Sequence, residues 1–231
     1  VGFTANLVCP GHELWHDAPE FYYKQGGGPM WDMGPYYITA LVSLLGPVKR
    51  VSCMAKISRA ERDIHGTPMK VEVPTHYAGL MEFENGVIGN VNMSFDVWDS
   101  QLPCMEIYGT TGMLTVPDPN LFGGTVNYFD GNKLTDIVKA VEGPAFARLV
   151  TMVTKTPECR EEAPLAYPAD EDPRCNMRGL GVSDIAQSLI EGRESRLSGA
   201  LSRHVVEILA AFDKAAKEGV TVEMTTTCQR P

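Results

Sequence analysis

The sequence predicts an α+β fold, an open-faced, mainly antiparallel β-sheet with helices packed on one face. Three observations carry this. Two alternating runs, 71–83 and 87–98, flank Glu84-Asn85-Gly86, and Asn-Gly between alternating runs is the strongest short hairpin signal. Two other stretches, 35–45 and 199–218, place apolar side chains at the three- and four-residue spacing of an amphipathic helix. The strand-like runs cluster between these helices instead of alternating with them, which favours hairpin-joined strands over a parallel sheet.

Taken in order, 1–8 alternates loosely and reads as a first strand. The stretch 9–25 crowds Trp15, His16, Phe21, Tyr22 and Tyr23 together and reads as a loop or short helical turn. Gly26-Gly27-Gly28 follows, backbone that something can approach closely. A helix then starts at Pro35 with Ile38, Leu41, Val42 and Leu45 facing inward, and Gly46-Pro47 ends it. Residues 48–58 put Val51, Cys53, Ala55 and Ile57 on one face of a half-buried strand, and the polar 59–70 reads as a connection.

The central hairpin carries Tyr77, Met81 and Phe83 on one face and Ala78 and Leu80 on the other. Apolar side chains on both faces imply that one meets the core and the other a partner, so a homodimer or homotetramer through the open sheet face is expected. Shorter strands are expected at 105–108, 113–116 and 125–129, the last turning at Asp130-Gly131-Asn132. The stretch 140–177 shows no pattern, is acidic at Glu158, Glu161, Glu162, Asp170, Glu171 and Asp172, and reads as a surface excursion. A helix over 182–191 would bury Val182, Ile185, Ala186, Leu189 and Ile190 and end at Gly192. Ser198 caps the last helix, whose stripe is Leu201, Val205, Ile208, Leu209 and Phe212, and 220–224 is a final strand. All of 1–231 reads as one domain.

A chain of 231 residues can bury a sizeable core. Its net charge of −9 argues against a nucleic-acid surface. No apolar run reaches the roughly 18 residues of a membrane span, and no basic-then-apolar leader opens the chain, so a cytoplasmic protein is expected. The six cysteines are scattered without a C-x-x-C pair and read as reduced thiols. His12 and His16 are four apart but lie in a stretch without helical period, so no metal is expected. G-x-G-x-x-G and G-x-S-x-G are both missing from the sequence, so no nucleotide-binding domain is expected within it. Val1 opens directly in a strand-like run, which reads as a piece of a longer protein.

The residues that invite chemistry are Asp32 and Tyr36, four apart at the mouth of the first helix. One helical turn would bring them to the same side. The free N–H groups of a helix start favour the Asp32 carboxylate, and a nearby cation would ease proton exchange between a phenol and a substrate hydroxyl. From the residues alone two readings stay open: a proton-handling pair, or a capping carboxylate beside a packing phenol. Trp15 and His16 likewise either pack their loop or contact a ligand.

The run GGGPMWDMGPYYITALVSLLGPVKRV resembles the start of the C-terminal domain of the Gfo/Idh/MocA oxidoreductases. The similarity continues through PTHYAGLMEFENGVIGNVNMSFDVW, the IYGTTGML turn and the closing helices, and so covers nearly the whole chain. The resemblance implies a glyceraldehyde-3-phosphate-dehydrogenase-like C-terminal fold. It implies a parent whose N-terminal Rossmann domain, absent from this chain, binds NAD or NADP and supplies a catalytic Lys. This chain would then shape the substrate pocket and the oligomer contact, with Asp32 and Tyr36 catalytic and Trp15 and His16 touching substrate. Many members carry His where Tyr36 stands; a Tyr there is similar to glucose–fructose oxidoreductase and dimeric dihydrodiol dehydrogenase. The implied reaction is hydride transfer on a sugar, polyol or related hydroxylated molecule, and this piece alone would be inactive. The same resemblance leaves room for an NAD-dependent glycoside hydrolase or a non-catalytic assembly module.

Overall fold

The computed structural model describes residues 1–163 and 177–231. The chain forms two compact units. One is built on Ala5–Leu102 and the closing helices, the other on Val1–Thr4 and the chain from Pro103.

The first unit holds α1 (Pro29–Asp32), α2 (Gly34–Leu45), β2 (Val48–Lys56), β5 (His76–Phe83), β6 (Ile88–Ser94), α5 (Gly179–Glu191), α6 (Gly199–Glu218) and β11 (Val222–Glu223), with the end of β1 (Gly2–Val8). Its strands lie in the order β1-β6-β5-β2-β11. The expected hairpin is there: β5 and β6 pair antiparallel from His76↔Ser94 to Glu82↔Ile88, and Gly86 takes φ 83 in the turn. Tyr77, Met81 and Phe83 are buried while Leu80, between them, is exposed, as the alternation requires. α6 packs on β2 and α2 on α6, and Ile38, Leu41, Ile208, Leu209 and Phe212 fill the space between helices and sheet. Ser198 Oγ accepts from the Leu201 amide at 3.2 Å, the expected N-cap.

The stretch 59–70 is a hairpin of its own, β3 (Glu61–Ile64) and β4 (Thr67–Lys70), where a connection was expected. Its polar side chains and Pro68 hide the pattern, and His65 turns the chain at φ 52. α5 corrects a second expectation. It forms and ends at the left-handed Gly192, but Val182, Ile185, Leu189 and Ile190 are all exposed, Ile190 by 79%. Helical periodicity identifies an apolar face and not what covers it.

The second unit orders its strands β10-β9-β8-β7, next to the start of β1: β7 (Met105–Tyr108), β8 (Gly112–Val116), β9 (Val126–Asp130) and β10 (Arg160–Ala163). β7–β8, β8–β9 and β9–β10 are all antiparallel. The supposed turn at Asp130 is a helix N-cap: its carboxylate accepts from the Asn132 and Lys133 amides and starts α3 (Gly131–Lys139). α4 (Ala145–Lys155) follows inside what read as an unpatterned excursion. Its valines and threonines are weak helix formers and its apolar stripe is largely exposed, with Phe146 at 72%. Asp170, Glu171, Asp172 and Cys175 lie outside the described residues. Cys9, Cys53, Cys104, Cys159 and Cys228 are free thiols, and no described helix is long and apolar enough to cross a membrane.

Candidate functional site

Asp32 and Tyr36 do not share one helix. Pro35 has no N–H to give the Trp31 carbonyl, so the helical ladder stops at Met33 and restarts. α1 therefore ends at Asp32 and α2 begins at Gly34, with the Tyr36 amide bonded to Met33 O at 3.1 Å. The start of α2 has no side-chain cap, so Asp32 does not fill that role. Its Oδ2 instead lies 3.2 Å from His12 Nε2, twenty residues back along the chain.

The glycines position this turn from inside. Gly28 donates to Tyr22 O at 2.7 Å and Gly27 to Lys24 O at 2.8 Å. A Cβ on Gly27 would stand 2.4 Å from Phe21 O, and one on Gly28, held at φ +86, 2.9 Å from Pro74 O. The close approach allowed by these two glycines is therefore to the protein's own backbone. It brings the Tyr22 backbone onto the residue that precedes α1.

Aromatic rings complete the surroundings. The His12 ring lies 3.9 Å from Tyr22, 4.3 Å from Phe95 and 5.4 Å from Trp15, centroid to centroid. His16 stands between Trp15 at 5.2 Å and Tyr22 at 5.5 Å, and its Nδ1 accepts from the Ala18 amide. Trp15 is 65% exposed. Burial, with the neighbouring Asp32 and Tyr36, pushes the Tyr22 phenol above its ordinary value. Trp15, His16, His12, Tyr22, Asp32 and Tyr36 thus form one continuous group. A cation stands beside Tyr36: Arg178 Nη1 donates to Tyr36 Oη at 3.4 Å and its guanidinium lies 5.6 Å from the ring centroid.

A buried charged network supports the group. Arg62, on β3, pairs with Glu13 at 2.7 Å and with Asp96, and donates to Phe95 O at 3.2 Å. Tyr23 Oη donates to Glu13 and accepts the His12 amide at 2.9 Å. Burial raises Glu13, but its bonds from Tyr23 and Arg62 outweigh that and hold the carboxyl below its usual value. Burial, aided by Glu13, pushes the Tyr23 phenol far up.

Sequence reasoning missed His12 as the partner of Asp32, Arg178 as the cation and Arg62 as the anchor. Each acts across a long separation, 20, 142 and 49 residues respectively, and no local pattern reports such a pairing. Among the described residues, no three His, Cys, Asp or Glu side chains converge as metal ligands. A separate cleft of about 560 Å³ opens beside Trp31, Tyr77, Val73 and Asp213; neither Asp32 nor Tyr36 lines it.

A family likeness emerges from comparison of this sequence. Residues 3–115 match the model of the GFO/IDH/MocA C-terminal domain, so they take in the glycine run, α1, α2 and the central hairpin. Over that stretch, just under half of its length, the chain is similar to the GFO/IDH/MocA C-terminal domain. Among solved structures it resembles levoglucosan dehydrogenase in its apo form (16% identity, TM-score 0.70, 99% of this chain and 60% of that one). It also resembles aldose-aldose oxidoreductase from Caulobacter crescentus complexed with glycerol (16%, TM-score 0.66, 96% and 55%). A third neighbour is the WlbA dehydrogenase from Bordetella pertussis in complex with NADH and UDP-GlcNAcA (16%, TM-score 0.60, 96% and 56%). At these identities the likeness establishes the fold, and the chain spans little more than half the length of these structures. No curated protein matches the sequence.

Proposed function

We propose that this chain is the substrate-shaping and oligomerisation domain of an NAD(P)-dependent oxidoreductase acting on a sugar, polyol or related hydroxylated small molecule. The observation that carries the reading is the state of Asp32. It caps no helix, and it is oriented by a buried imidazole beside a phenol and a guanidinium. A carboxylate used only for stability would satisfy the helix start two residues away.

In this reading Asp32 orients and charges the site, Tyr36 takes or relays the substrate hydroxyl proton, and Trp15 and His16 contact the substrate. Oxidation of a secondary alcohol sends the hydroxyl proton to a protein base and the hydride to the nicotinamide, which supplies the redox chemistry when bound. The base is a lysine outside this chain, with Tyr36 and Asp32 completing the proton path. The residues here fit the reactive end of such a cofactor. Asp32 keeps 29% of its side chain exposed and Tyr36 is half-buried, so both present polar atoms to a neighbour. They do not fit the pyrophosphate: Gly27 and Gly28 are closed by their own backbone, which leaves nucleotide binding to another domain. Copies of the protein meet through the outer face of the sheet at β2 and the central hairpin, where Met54, Leu80 and Ile88 are exposed by 81%, 54% and 54%.

The test is turnover of the full-length protein on a panel of sugars and polyols, read by NADH absorbance. Asp32→Asn and Tyr36→Phe should each lower kcat by about 100-fold or more, the usual scale for a proton-transferring group. Unchanged turnover in both would leave an assembly module and sink the enzymatic reading.

A further inference from the structure

We propose that His12 is a positioning residue: its imidazole is held as the Nε2–H tautomer, donates to Asp32 and fixes the direction of that carboxylate. The inference rests on the reading of Asp32 given above and adds a residue to it.

The ring is enclosed. His12 is 8% exposed, and Tyr22, Phe95 and Trp15 surround the imidazole. Nε2 faces Asp32 Oδ2 at 3.2 Å, while Nδ1 is buried and has no hydrogen-bond partner among the described residues. A carboxylate only accepts, so Nε2 must carry a hydrogen to bond it. A proton on Nδ1 would be a buried donor without an acceptor, a costlier defect than a bare lone pair. The Nδ1–H tautomer fails on both counts, since it also turns the Nε2 lone pair onto a carboxylate. The doubly protonated ring fails on the second. The Nε2–H form alone bonds Asp32 and leaves no buried donor unpaired.

The backbone of His12 is fixed as firmly as its ring. Its amide donates to Tyr23 Oη at 2.9 Å, and Tyr23 passes its own proton toward Glu13, which Arg62 grips at 2.7 Å. The Arg62 side chain is 1% exposed and is held in turn by Asp96, which accepts from Thr75 Oγ1 at 2.6 Å. The backbone of His12 therefore cannot shift without opening a buried network, and its imidazole cannot swing away from Asp32 without displacing Tyr22 or Phe95. With Oδ2 committed to His12, Oδ1 is the oxygen left to face a ligand; it makes no hydrogen bond among the described residues. Small displacements of a reacting group change rates by orders of magnitude, so this constraint bears on kcat.

The experiment uses the full-length protein. His12→Phe keeps a ring among Tyr22, Phe95 and Trp15 and removes the donor; His12→Gln returns an N–H donor. His12→Phe should lower kcat by about 10- to 100-fold with KM changed less than about threefold, and His12→Gln should recover most of the loss. Long-range ¹H–¹⁵N spectra of the wild type, with His12 assigned through His12→Gln, should show a protonated Nε2 and a bare Nδ1, and Asp32→Asn should shift the Nε2 signal. If His12→Phe folds poorly, the spectra of the wild type still decide the tautomer. A protonated Nδ1, or full kcat in His12→Phe while Asp32→Asn is dead, would overturn the role of His12 and leave the enzymatic reading standing. Full activity in Asp32→Asn would remove that reading and this one with it.

Discussion

The indole Nε1 of Trp31 donates to Asp213 Oδ2 at 2.7 Å, and so ties the short turn that presents Asp32 to the long closing helix. The other oxygen of Asp213 accepts from Tyr77 Oη, also at 2.7 Å. One carboxylate thus joins α1, β5 and α6. Asp213→Ala leaves two aromatic donors without their acceptor in a part-buried place, a defect of up to about 1–3 kcal/mol for each group. Urea denaturation should show a loss of about 2–4 kcal/mol, with Asp213→Asn losing less.

Arg62 offers a sharper test of the network under the site. Its side chain is 1% exposed, and those of Glu13 and Asp96 are each 9% exposed. Removing one member of a buried ion pair strands the others, at a cost of about 3–5 kcal/mol. Arg62→Met should therefore lower stability by that order in urea. Restoring charge alone, with Arg62→Lys, should recover only part, because one ammonium cannot span Glu13, Asp96 and Phe95 O in the geometry of a guanidinium.

Acid should loosen the tail that follows α6. Burial lowers the His204 imidazole below its ordinary value, and its Nε2 accepts the Val48 amide at 2.9 Å. Glu207 is raised by burial, but bonds from the side chains and amides of Thr225 and Thr226 outweigh that and bring it to about 2. Both groups are lowered on folding, and the windows differ. The contribution of His204 is complete above the unfolded imidazole value and fades as pH falls below about 6.5. That of Glu207 is complete above the unfolded carboxyl value and is lost as pH falls from about 4.5 toward 2. The protection factors of the Thr225 and Thr226 amides, taken against the intrinsic exchange rate at each pH, should fall in two steps on acidification, and Glu207→Gln should erase the lower one.

The contrast between α5 and α6 calls for a paired substitution. Leu209 is buried and Leu189 is 78% exposed, although both lie on apolar stripes. Leu209→Ala should cost about 2–5 kcal/mol, and Leu189→Ala should stay within about 0.5 kcal/mol in this chain. A large effect at Leu189 would mean that a partner covers α5.

On the hairpin's outer face, Leu80→Glu would set a charge beside exposed Ile88, on the face through which copies are proposed to meet. Its buried neighbours Tyr77 and Met81 point the other way, so folding should hold. Light scattering should report a smaller particle than the wild type; an unchanged mass would place any assembly elsewhere.

What the sequence made legible was local. The stripe of α6, its Ser198 cap and the Asn85-Gly86 hairpin are patterns within a few residues, and all three form as expected. The β3–β4 hairpin was hidden because Arg62, a charged residue, is buried through its partners and not through apolarity. α5 has the right period, yet its stripe is exposed, since periodicity carries no information about neighbours. At the site, Asp32 and Tyr36 stood out from the glycine run and the helix start. What gives them character, His12 and Arg178, arrives from remote segments that only the folded chain brings near.

The interruption at Met33 gives the two groups separate anchorages. Tyr36 belongs to α2, while Asp32 is moored through His12 to the loop that Glu13 and Arg62 hold. The spacing of carboxylate and phenol is therefore not a fixed rung of one helix. Substitutions beneath α2 could retune it for ligands of different girth without disturbing the anchorage of the acid.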